Sequence, residues 1–375
     1  MSDVEITETE TKRQWKRWVR FPTKLYRGSK FYVHPLELDE KMLFSTKNPS
    51  CEHFIIKAFL AHRGKKIVGR IAVLIPQHPE ALGHIARFTR FDFIDDTAVS
   101  SALIHAAESY ARRMGMKRVA GPLGFNDFDK EGLLIHGCDR IGNFETIYNY
   151  AYYQKHIESA GFKKETDWLE FTLPMPDRER AKRFEKISEH TLKRLDLHVL
   201  PQSIGIKDVL ARHEHDIFDL LNHAYGHLHA YVPTTPEVRA GILKQFKKII
   251  RREYLCLVFD RDMRAVGFAI VLPNIARSIN RSQGRLLPFG WLRIMREIRR
   301  PRYLDMALIA VHEDFRNKGI NAVMIHSILK ECENKNIIGV ETNLELETNT
   351  QVLAQTAAFD KTLIRRRRCY TKELG

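Results

Sequence analysis

The chain has 375 residues, of which 44% are hydrophobic and 29% charged, and its 61 Lys and Arg exceed its 46 Asp and Glu by a formal net charge of +15. This composition excludes a disordered chain, the length predicts two domains, and five cysteines without regular spacing argue against a disulfide framework. The polar, acidic start does not resemble a secretory signal, and no run reaches the about 18 apolar residues of a membrane span, so we predict a cytoplasmic protein. Its positive charge should attract anionic partners.

The first half of the chain predicts a mixed α/β unit. A turn at Arg63-Gly64-Lys65 separates two β-rich runs, and a later helix has Thr97 as its expected N-cap and Gly115 after its end. In chain order the pattern predicts two hairpin strands, a third strand, a helix, a fourth strand, a short helix and a fifth strand, over residues 54–62, 66–76, 86–95, 97–114, 116–121, 151–160 and 167–174.

The second half predicts the same order of elements after an initial helix. These elements are a helix, a hairpin, a strand, a helix and a strand, over residues 216–228, 254–273, 302–311, 320–336 and 337–346. A short helix from Asn349 and a last strand over 363–374 follow. The shared order predicts a duplicated α/β unit, which is a structural repeat rather than a literal repeat of the sequence.

The boundary between the halves is expected near Pro174 and Pro176, which precede a charged stretch typical of a solvated helix. We therefore predict a first domain over residues 1–176 and a second over 177–375. The second domain contains an insertion at about 284–301, between its hairpin and its next strand.

The most informative segment is LIAVHEDFRNKGINAVMIHSIL, in which a buried strand leads through a polar turn into a helix. A helix start offers unpaired backbone N–H groups and the positive end of the helix dipole, which together bind anions. Gly319 allows a close approach of the backbone to a phosphate, and Arg316 and Lys318 add positive charge. The segment therefore predicts a phosphate site.

This loop resembles that of the GNAT superfamily of acyl-CoA-dependent N-acyltransferases. The family places an R/Q-x-x-G-x-G/A loop after its fourth strand, where the loop grips the coenzyme A pyrophosphate, and splays its fourth and fifth strands so that pantetheine pairs with the fourth. Asn321 stands where Gly or Ala is usual, and Glu347 and Asn349 match an E-x-N ending of the fifth strand. The resemblance implies acyl-CoA as donor, bound by Ile309, Val311, Arg316, Asn317, Lys318, Gly319, Ile320, Asn321, Ala322 and Asn349.

The resemblance covers both halves, which implies tandem GNAT-like folds, each a twisted mixed sheet flanked by helices. The first half has no glycine-rich basic loop in RFDFIDDTAVSSAL, so we expect its lobe to lack the cofactor. The segments GFNDFDKEGLLIHG and IYNYAYY resemble a group of large bacterial members, and the nearest group that can be named includes bacterial ceramide synthases, which acylate a sphingoid amine.

A row of polar side chains provides candidate catalytic groups. In an unbroken strand VETNLELE, side chains alternate, so Glu341, Asn343, Glu345 and Glu347 share one face. Acylation of an amine needs a base, because an ammonium group must lose a proton before it attacks a thioester. Glu345 and Glu347 are candidate bases and Asn343 a candidate substrate ligand. The alternative for this row is a sheet edge with solvated carboxylates. Asp305 is a second candidate base, and its alternative role is to bond to the backbone at the start of its strand.

The segment HAYGHLHAY contains histidines at positions 223, 227 and 229, whose spacing is weakly typical of metal binding. No further pattern completes a metal site, so we predict none. Tyr225 and Tyr231 are candidate residues of an acceptor pocket, with ordinary surface packing as the alternative.

The insertion predicts an amphipathic helix. One face of this helix is an apolar stripe of Leu287, Trp291, Ile294, Met295 and Ile298. The opposite face is basic and consists of Arg293, Arg296, Arg299 and Arg300. Arginines opposite Trp, Leu and Ile are typical of a helix at an anionic membrane surface, where Trp291, Arg293 and Arg296 would make contact. The alternative is a helix that packs on the core with a solvated back.

We therefore predict an acyl-CoA-dependent N-acyltransferase that acts by direct attack of an amine, with a lipid amine as the narrower expectation and peripheral attachment to the inner face of the membrane. The first alternative is an N-acetyltransferase of small-molecule or protein amines. A nucleic-acid-binding protein, suggested by +15 and by Arg365 to Arg368, is disfavoured because no recognition motif accompanies the charge. A non-catalytic ligand sensor is a further alternative.

Overall fold

The computed structural model of the chain describes residues 3–45, 47–126, 128–226, 235–333, 335–356 and 359–375. Its helices, in chain order, are α1 Lys12–Leu25, α2 Glu37–Leu43, α3 Thr97–Arg113, α4 Tyr152–Ser159, α5 Arg178–Leu195, α6 Ile206–Tyr225, α7 Pro236–Phe246, α8 Ala276–Ser282, α9 Gly290–Arg299, α10 Ile320–Cys332 and α11 Thr350–Gln355. Its strands are β1 Val4–Glu8, β2 Phe54–Arg63, β3 Lys66–Pro76, β4 Ile85–Phe93, β5 Arg118–Gly121, β6 Leu133–His136, β7 Lys163–Pro174, β8 His198–Val199, β9 Leu255–Phe259, β10 Ala265–Pro273, β11 Tyr303–Val311, β12 Gly339–Thr342, β13 Glu345–Leu346 and β14 Thr362–Glu373.

Backbone contacts divide these elements into two units. The first unit holds Met1–Leu169, Ala276–Trp291 and Ile364–Gly375, and the second holds Glu170–Ile275 and Leu292–Leu363. The domains predicted over 1–176 and 177–375 stay a prediction, because this division assigns two late segments of the chain to the first unit.

The first unit is a mixed sheet in the order β1-β2-β3-β4-β5-β14-β7. The β2–β3 and β3–β4 pairs are antiparallel, whereas β4 and β5 are parallel and joined by α3. Helix α3 is amphipathic: Val99, Leu103 and Ala107 follow one another at four-residue spacing and are each at most 2% exposed. This apolar face and the inner face of the sheet form the core of the unit.

The second unit repeats this arrangement in the order β7-β12-β11-β10-β9-β8. The β9–β10 and β10–β11 pairs are antiparallel, and β11 and β12 are parallel and joined by α10. Ile320, Val323 and Met324 of α10 are buried in one cluster with Val258 and Val266 of the hairpin. The mixed α/β sheet predicted for each half is therefore confirmed.

A matching glycine marks the duplication. Gly69 of β3 and Gly267 of β10 each follow a valine. A Cβ atom at Gly69 would lie 2.7 Å from Leu103 Cδ1 of α3, and one at Gly267 would lie 2.8 Å from Ile320 Cγ2 of α10. In each unit the lack of a side chain lets the helix pack against the middle strand.

Three local predictions are wrong. Helix α3 is capped by Asp96 rather than Thr97, because the Asp96 carboxylate accepts from the amides of Ala98 and Val99 at 2.9 and 3.4 Å. Helix α6 begins ten residues earlier than expected, since its first turns carry mixed charge. The strand expected over 337–346 is interrupted at 343–344, which separates β12 from β13.

The first fifty residues gave no clear pattern, yet they form β1, α1 and α2. Helix α1 is fixed by a capping box between Thr11 and Gln14 and buries Trp18 completely. Among the described residues, no helix is long and apolar enough to cross a membrane.

Candidate active site

The parallel strands β11 and β12 separate partway along their length. They pair from Tyr303 with Gly339 to Met306 with Thr342, after which β12 ends while β11 continues to Val311 along β10. The register with β10 shifts between Ile270 and Val271, so one additional residue of β11 bulges at the point of separation. A bulge bends a strand and increases its twist. One edge of β11 beyond Met306 is therefore no longer covered by β12.

The loop after β11 leads directly into the start of α10. It contains a short 3₁₀ turn at Glu313–Phe315, then Asn317 with φ 59°, and Gly319 with φ 98° as N-cap of α10. Gly319 provides no side-chain cap, so the first N–H groups of the helix face outward. A Cβ atom at Gly319 would lie 2.4 Å from Thr191 Oγ1 of α5, which makes glycine necessary in both conformation and space.

Three cationic side chains are located at this loop. Arg316 is half-buried, and the Lys318 ammonium lies 5.7 Å from the centre of the Phe315 ring. Arg194 of α5 donates from Nη2 to the Lys318 carbonyl at 2.9 Å. Arg194 has no signal in the sequence, because it lies 124 residues before Lys318 and only the packing of α5 brings it to the loop. The uncapped helix start and these cations suit a phosphate group.

Asn321, the residue that departs from the family pattern, has a side-chain amide oxygen that is buried and makes no hydrogen bond within the described part of the chain. An unsatisfied acceptor of this kind is costly to bury. The side chain is therefore suited to accept a hydrogen bond from a ligand at the start of α10.

Glu345 on β13 is a buried carboxyl group without a hydrogen bond. It is 5% exposed, and neither of its side-chain oxygens has a hydrogen-bond partner among the residues that the structure describes. Burial raises the pKa of Glu345 to about 7, although the nearby Lys361 ammonium lowers it. A carboxyl group with a pKa near neutrality suits a general base.

The other two candidate bases have different surroundings. Asp305 is 6% exposed and accepts a 2.8 Å hydrogen bond from Asn274 Nδ2, and in the strand register it is paired with Glu341 of β12. Glu347 is half-buried in the turn after β13. Because the strand is interrupted, the single row predicted from Glu341 to Glu347 is not formed: Asn343 lies in the interruption and Glu345 on a separate strand.

Tyr225 and Ile309, predicted for the acceptor and for the cofactor, are in contact. The Tyr225 hydroxyl, at the end of α6, donates to the Ile309 carbonyl of β11 at 3.1 Å. His223 Nδ1 lies 2.8 Å from the Asp219 carbonyl oxygen. The predicted Tyr231 lies outside the described residues, as do the histidines at 227 and 229. Asn349 caps α11, since its side chain accepts from the Val352 amide at 3.2 Å.

The corresponding features of the first unit are satisfied by the chain itself. The Asp96 carboxylate occupies the start of α3 and also forms a 2.8 Å ion pair with Arg63. Strands β4 and β5 pair only from Ile85 to Arg87 on β4, and beyond that point the Leu123 amide donates to the Phe88 carbonyl at 2.9 Å. In the first unit, the chain's own carboxylate and backbone therefore fill these positions. In the described part of the second unit, the start of α10 has no side-chain cap, and the Ile309 carbonyl of β11 accepts from the Tyr225 hydroxyl.

The arginine run of β14 is structural. Arg367 is fully buried and donates to Thr146 Oγ1 at 2.7 Å, and Arg368 bonds both oxygens of Asp167 at 2.7 and 3.0 Å. Arg365 donates to the Ile141 carbonyl at 2.8 Å. This run, whose role is not evident from the sequence, therefore stabilises the first unit rather than forming an open basic patch.

The apolar stripe predicted for the insertion is divided between interior and solvent. Ile298 of α9 is 4% exposed, whereas Trp291 and Met295 are 47% and 38% exposed. Arg293 and Arg296 are exposed as well. The prediction that Leu287 belongs to this helix is wrong, because α9 begins only at Gly290.

Comparison with known proteins finds relatives by sequence and similar solved structures, whereas no family model matches the chain. "Protein YghO" of Escherichia coli K12 is 26% identical over 371 residues, which cover 97% of this chain and 94% of that protein. A "bacterial ceramide synthase" of Caulobacter vibrioides is 26% identical over 305 residues, which cover 78% of this chain and 76% of that protein.

One similar solved structure is a "tandem GNAT protein from the clavulanic acid biosynthesis pathway". It superposes with a TM-score of 0.57 at 13% identity, and the match covers 100% of this chain and 99% of that one. The tandem GNAT fold predicted from the sequence is therefore confirmed. The similarity to the ceramide synthase supports the predicted group.

Proposed function

We propose that the chain is an acyl-CoA-dependent N-acyltransferase whose reaction takes place in the second unit. The observation that carries this proposal is the separation of β11 and β12 after Met306, which leaves an open strand edge leading to the uncapped start of α10. An open edge offers backbone hydrogen bonds to the extended pantetheine arm, and the helix start suits its pyrophosphate. An acyltransferase is supported further by the fold and by the name of the Caulobacter relative.

The donor would be held by the residues that follow β11. Arg316, Lys318 and Arg194 supply positive charge to the phosphates, and Gly319 keeps the first N–H groups of α10 accessible. The backbone of Ile309 to Val311 would pair with the pantetheine arm, which would displace the Tyr225 hydroxyl from the Ile309 carbonyl. Asn321 would accept a hydrogen bond at the helix start. Arg194 is an addition to the residues predicted from sequence.

Glu345 is the proposed general base. It takes a proton from the ammonium group of the acceptor, and the resulting amine attacks the thioester carbonyl carbon. Backbone N–H groups of β11 stabilise the oxyanion that forms, and collapse of the intermediate breaks the C–S bond. The attacking nitrogen loses a second proton as the amide forms, and the departing coenzyme A sulfur takes up a proton, so that the products are the amide and the free thiol. Asp305 is less suited to this role because Asn274 already bonds its carboxylate.

The first unit is proposed to bind no acyl-CoA. Its helix start is capped by Asp96, and the backbone at Leu123 pairs with the open part of β4. Both groups would have to be displaced by a ligand that uses the same positions. Because only the second unit would bind acyl-CoA, each chain should bind one donor molecule.

The acceptor is proposed to be a long-chain amine of the sphingoid type. This narrower proposal is supported by the name of the Caulobacter relative, which is 26% identical to this chain. An N-acetyltransferase of small-molecule or protein amines is the alternative. A nucleic-acid-binding role has less support, since Arg365, Arg367 and Arg368 are engaged within the first unit. The cytoplasmic location stays a prediction.

The test is an acylation assay on the purified full chain. Acetyl-, octanoyl- and palmitoyl-CoA are each incubated with sphinganine and with a panel of soluble amines, and amide products and free coenzyme A thiol are measured together by mass spectrometry and thiol titration. We expect equal amounts of amide and thiol with at least one pair. Binding of acyl-CoA without any amide product would favour the ligand sensor, and lack of binding to all three donors would contradict the proposal.

A further inference from the structure

The strongest feature outside the candidate active site is an exposed apolar surface within residues 286–295. Six large apolar side chains of this stretch are exposed: Leu286 (45%), Leu287 (77%), Phe289 (65%), Trp291 (47%), Leu292 (47%) and Met295 (38%). The other exposed large apolar residues in the described chain, Met42, Ile55, Ile187, Met263 and Ile338, are scattered. Scattered exposure is normal, whereas a local concentration indicates a binding surface.

The local backbone explains why these side chains remain exposed. The Trp291 amide donates to the Leu286 carbonyl at 2.8 Å, which closes the loop before α9. A Cβ atom at Gly290 would lie 1.9 Å from the Arg285 carbonyl oxygen, so the loop passes very close to the helix start. On the helix, Ile298 is buried and fixes which face of α9 is directed outward. The exposed apolar residues are thus presented by a defined local structure.

Basic residues surround the apolar ones. Between 285 and 302 the chain has six arginines, at 285, 293, 296, 299, 300 and 302, and one acidic residue, Glu297. All six arginines are exposed. Within the described residues, Arg296, Arg299 and Arg300 form no ion pair. The segment therefore combines large apolar side chains with a local charge of one sign.

We propose that residues 285–302, the docking segment, attach the protein to an anionic lipid surface. The side chains of Leu287, Phe289 and Trp291 would insert among the acyl chains, where their burial removes apolar surface from water. The arginines would bind lipid phosphates and extend their apolar stems along the interface. This inference does not rest on the proposed acyltransferase activity, because the docking segment is separate from Glu345 and from the loop at Gly319.

Charge favours a lipid surface over two other partners. A second copy of the chain would bring two arginine-rich segments together, and like charges across an interface repel. Nucleic acid would satisfy the arginines but would leave Leu287 and Phe289 in water, since its exterior is phosphate and sugar. An anionic membrane is complementary to both kinds of side chain.

The experiment is co-sedimentation of the full chain with vesicles, without acyl-CoA. Vesicles of phosphatidylcholine alone are compared with vesicles that contain about 30 mol % phosphatidylglycerol, in about 0.1 M salt. We expect binding only to the anionic vesicles. The double variants L287S/F289S and R296Q/R299Q should each weaken binding about tenfold or more, since both apolar insertion and charge are needed.

Matched controls are Met263→Ser, an exposed apolar residue elsewhere, and K207Q/R212Q, two exposed cations of α6; both should bind as the unchanged protein does. Equal binding by all variants, or no binding to anionic vesicles, would overturn the inference. The inference would also be overturned if the protein bound RNA or formed a dimer, and if only the L287S/F289S variant lost that RNA binding or dimer. Acylation of a soluble amine, measured without vesicles, tests the proposed function separately.

Discussion

Glu345 and Asp305 show how two carboxyl groups of one unit acquire different chemical properties. The alternation of polar residues in VETNLELE made Glu345 a candidate base, and Asp305 was a second candidate as the acidic residue of RYLDMALIAV. The residue types do not indicate their partners: Asn274, which bonds Asp305, is 31 residues away along the chain. The interruption of the strand at 343–344 was not evident from residue types either, and it places Glu345 apart from Glu341.

The rate of acyl transfer should depend on the ionisation of Glu345. Because a base must be unprotonated to accept a proton, kcat/KM should fall as the pH decreases through about 7, the pKa to which burial raises this carboxyl. Glu345→Gln should lower kcat by about 10²–10⁴-fold and remove this limb of the pH profile, with acyl-CoA affinity unchanged. Glu347→Gln is the matched control variant and should keep most of its activity. If Glu347→Gln lost activity while Glu345→Gln remained active, Glu347 rather than Glu345 would be the general base.

The stability of the protein should also depend on Glu345. The folded-state pKa of about 7 lies above the ordinary value of 4.5, so the folded protein holds this proton more tightly than the unfolded chain. The contribution is present below about pH 4.5 and is lost as the pH rises through 7, at a cost of up to about 3 kcal/mol. Glu345→Gln should therefore unfold at the same temperature as the unchanged protein at pH 4 and at a higher one at pH 8. A pH-independent difference in Tm would contradict a raised pKa.

At the scale of elements, the decisive contrast is between the starts of α3 and α10. The sequence of the second half predicted its loop correctly as strand, turn and helix, since Gly319 and the flanking cations are local signals. The capping of α3 by Asp96 was predicted one residue too late, because both Asp96 and Thr97 are favourable N-cap residues. The Leu123–Phe88 hydrogen bond that covers β4 depends on a long-range path of the chain and has no local signal.

Gly319→Ala tests the loop. A Cβ atom at this position would meet Thr191 at 2.4 Å, and φ of 98° is unfavourable for alanine. We expect acyl-CoA affinity, measured by calorimetry, to fall about tenfold or more, since forcing such a backbone conformation costs about 1–3 kcal/mol. Gly241→Ala is the matched control: it lies within α7 with nothing within 4 Å of its Cβ position, and it should bind normally. Equal affinities of the two variants would show that the loop does not hold the donor.

At the scale of the whole molecule, the net charge of +15 divides into parts with different roles. Arg316 and Lys318 belong to the candidate donor site, residues 285–302 form the docking segment, and the run at 365–368 is used within the first unit. Strand alternation already indicated that this run could not form one continuous patch. Its partners, Asp167 and Thr146, are about 200 residues away, so their contacts could only be found in the structure.

Loss of Asp167 should therefore destabilise the protein. Its side chain is fully buried and bonds Arg366 and Arg368, and the hydrogen bond from Arg368 contributes to lowering the pKa of this carboxyl in spite of burial. Asp167→Asn should reduce the free energy of unfolding by about 1.5–3 kcal/mol, because it removes the charged partner of two arginines whose side chains are only partly exposed, at 38% and 19%. Denaturant unfolding of this variant beside Asp360→Asn, whose ion pair with Arg180 is exposed, provides the comparison. Equal losses for both variants would show that burial adds nothing to the Asp167 pairs.

The most direct test of the account is the number of acyl-CoA molecules that bind to one chain. Calorimetric titration of the full chain with palmitoyl-CoA, below its micelle concentration, and with acetyl-CoA measures this number. We expect one molecule of the donor that the enzyme uses to bind to each chain. Its affinity should be reduced by Gly319→Ala and unchanged by Glu345→Gln. Two equivalents, or one that is unaffected by Gly319→Ala, would place the donor elsewhere, and no binding of either donor would contradict the account.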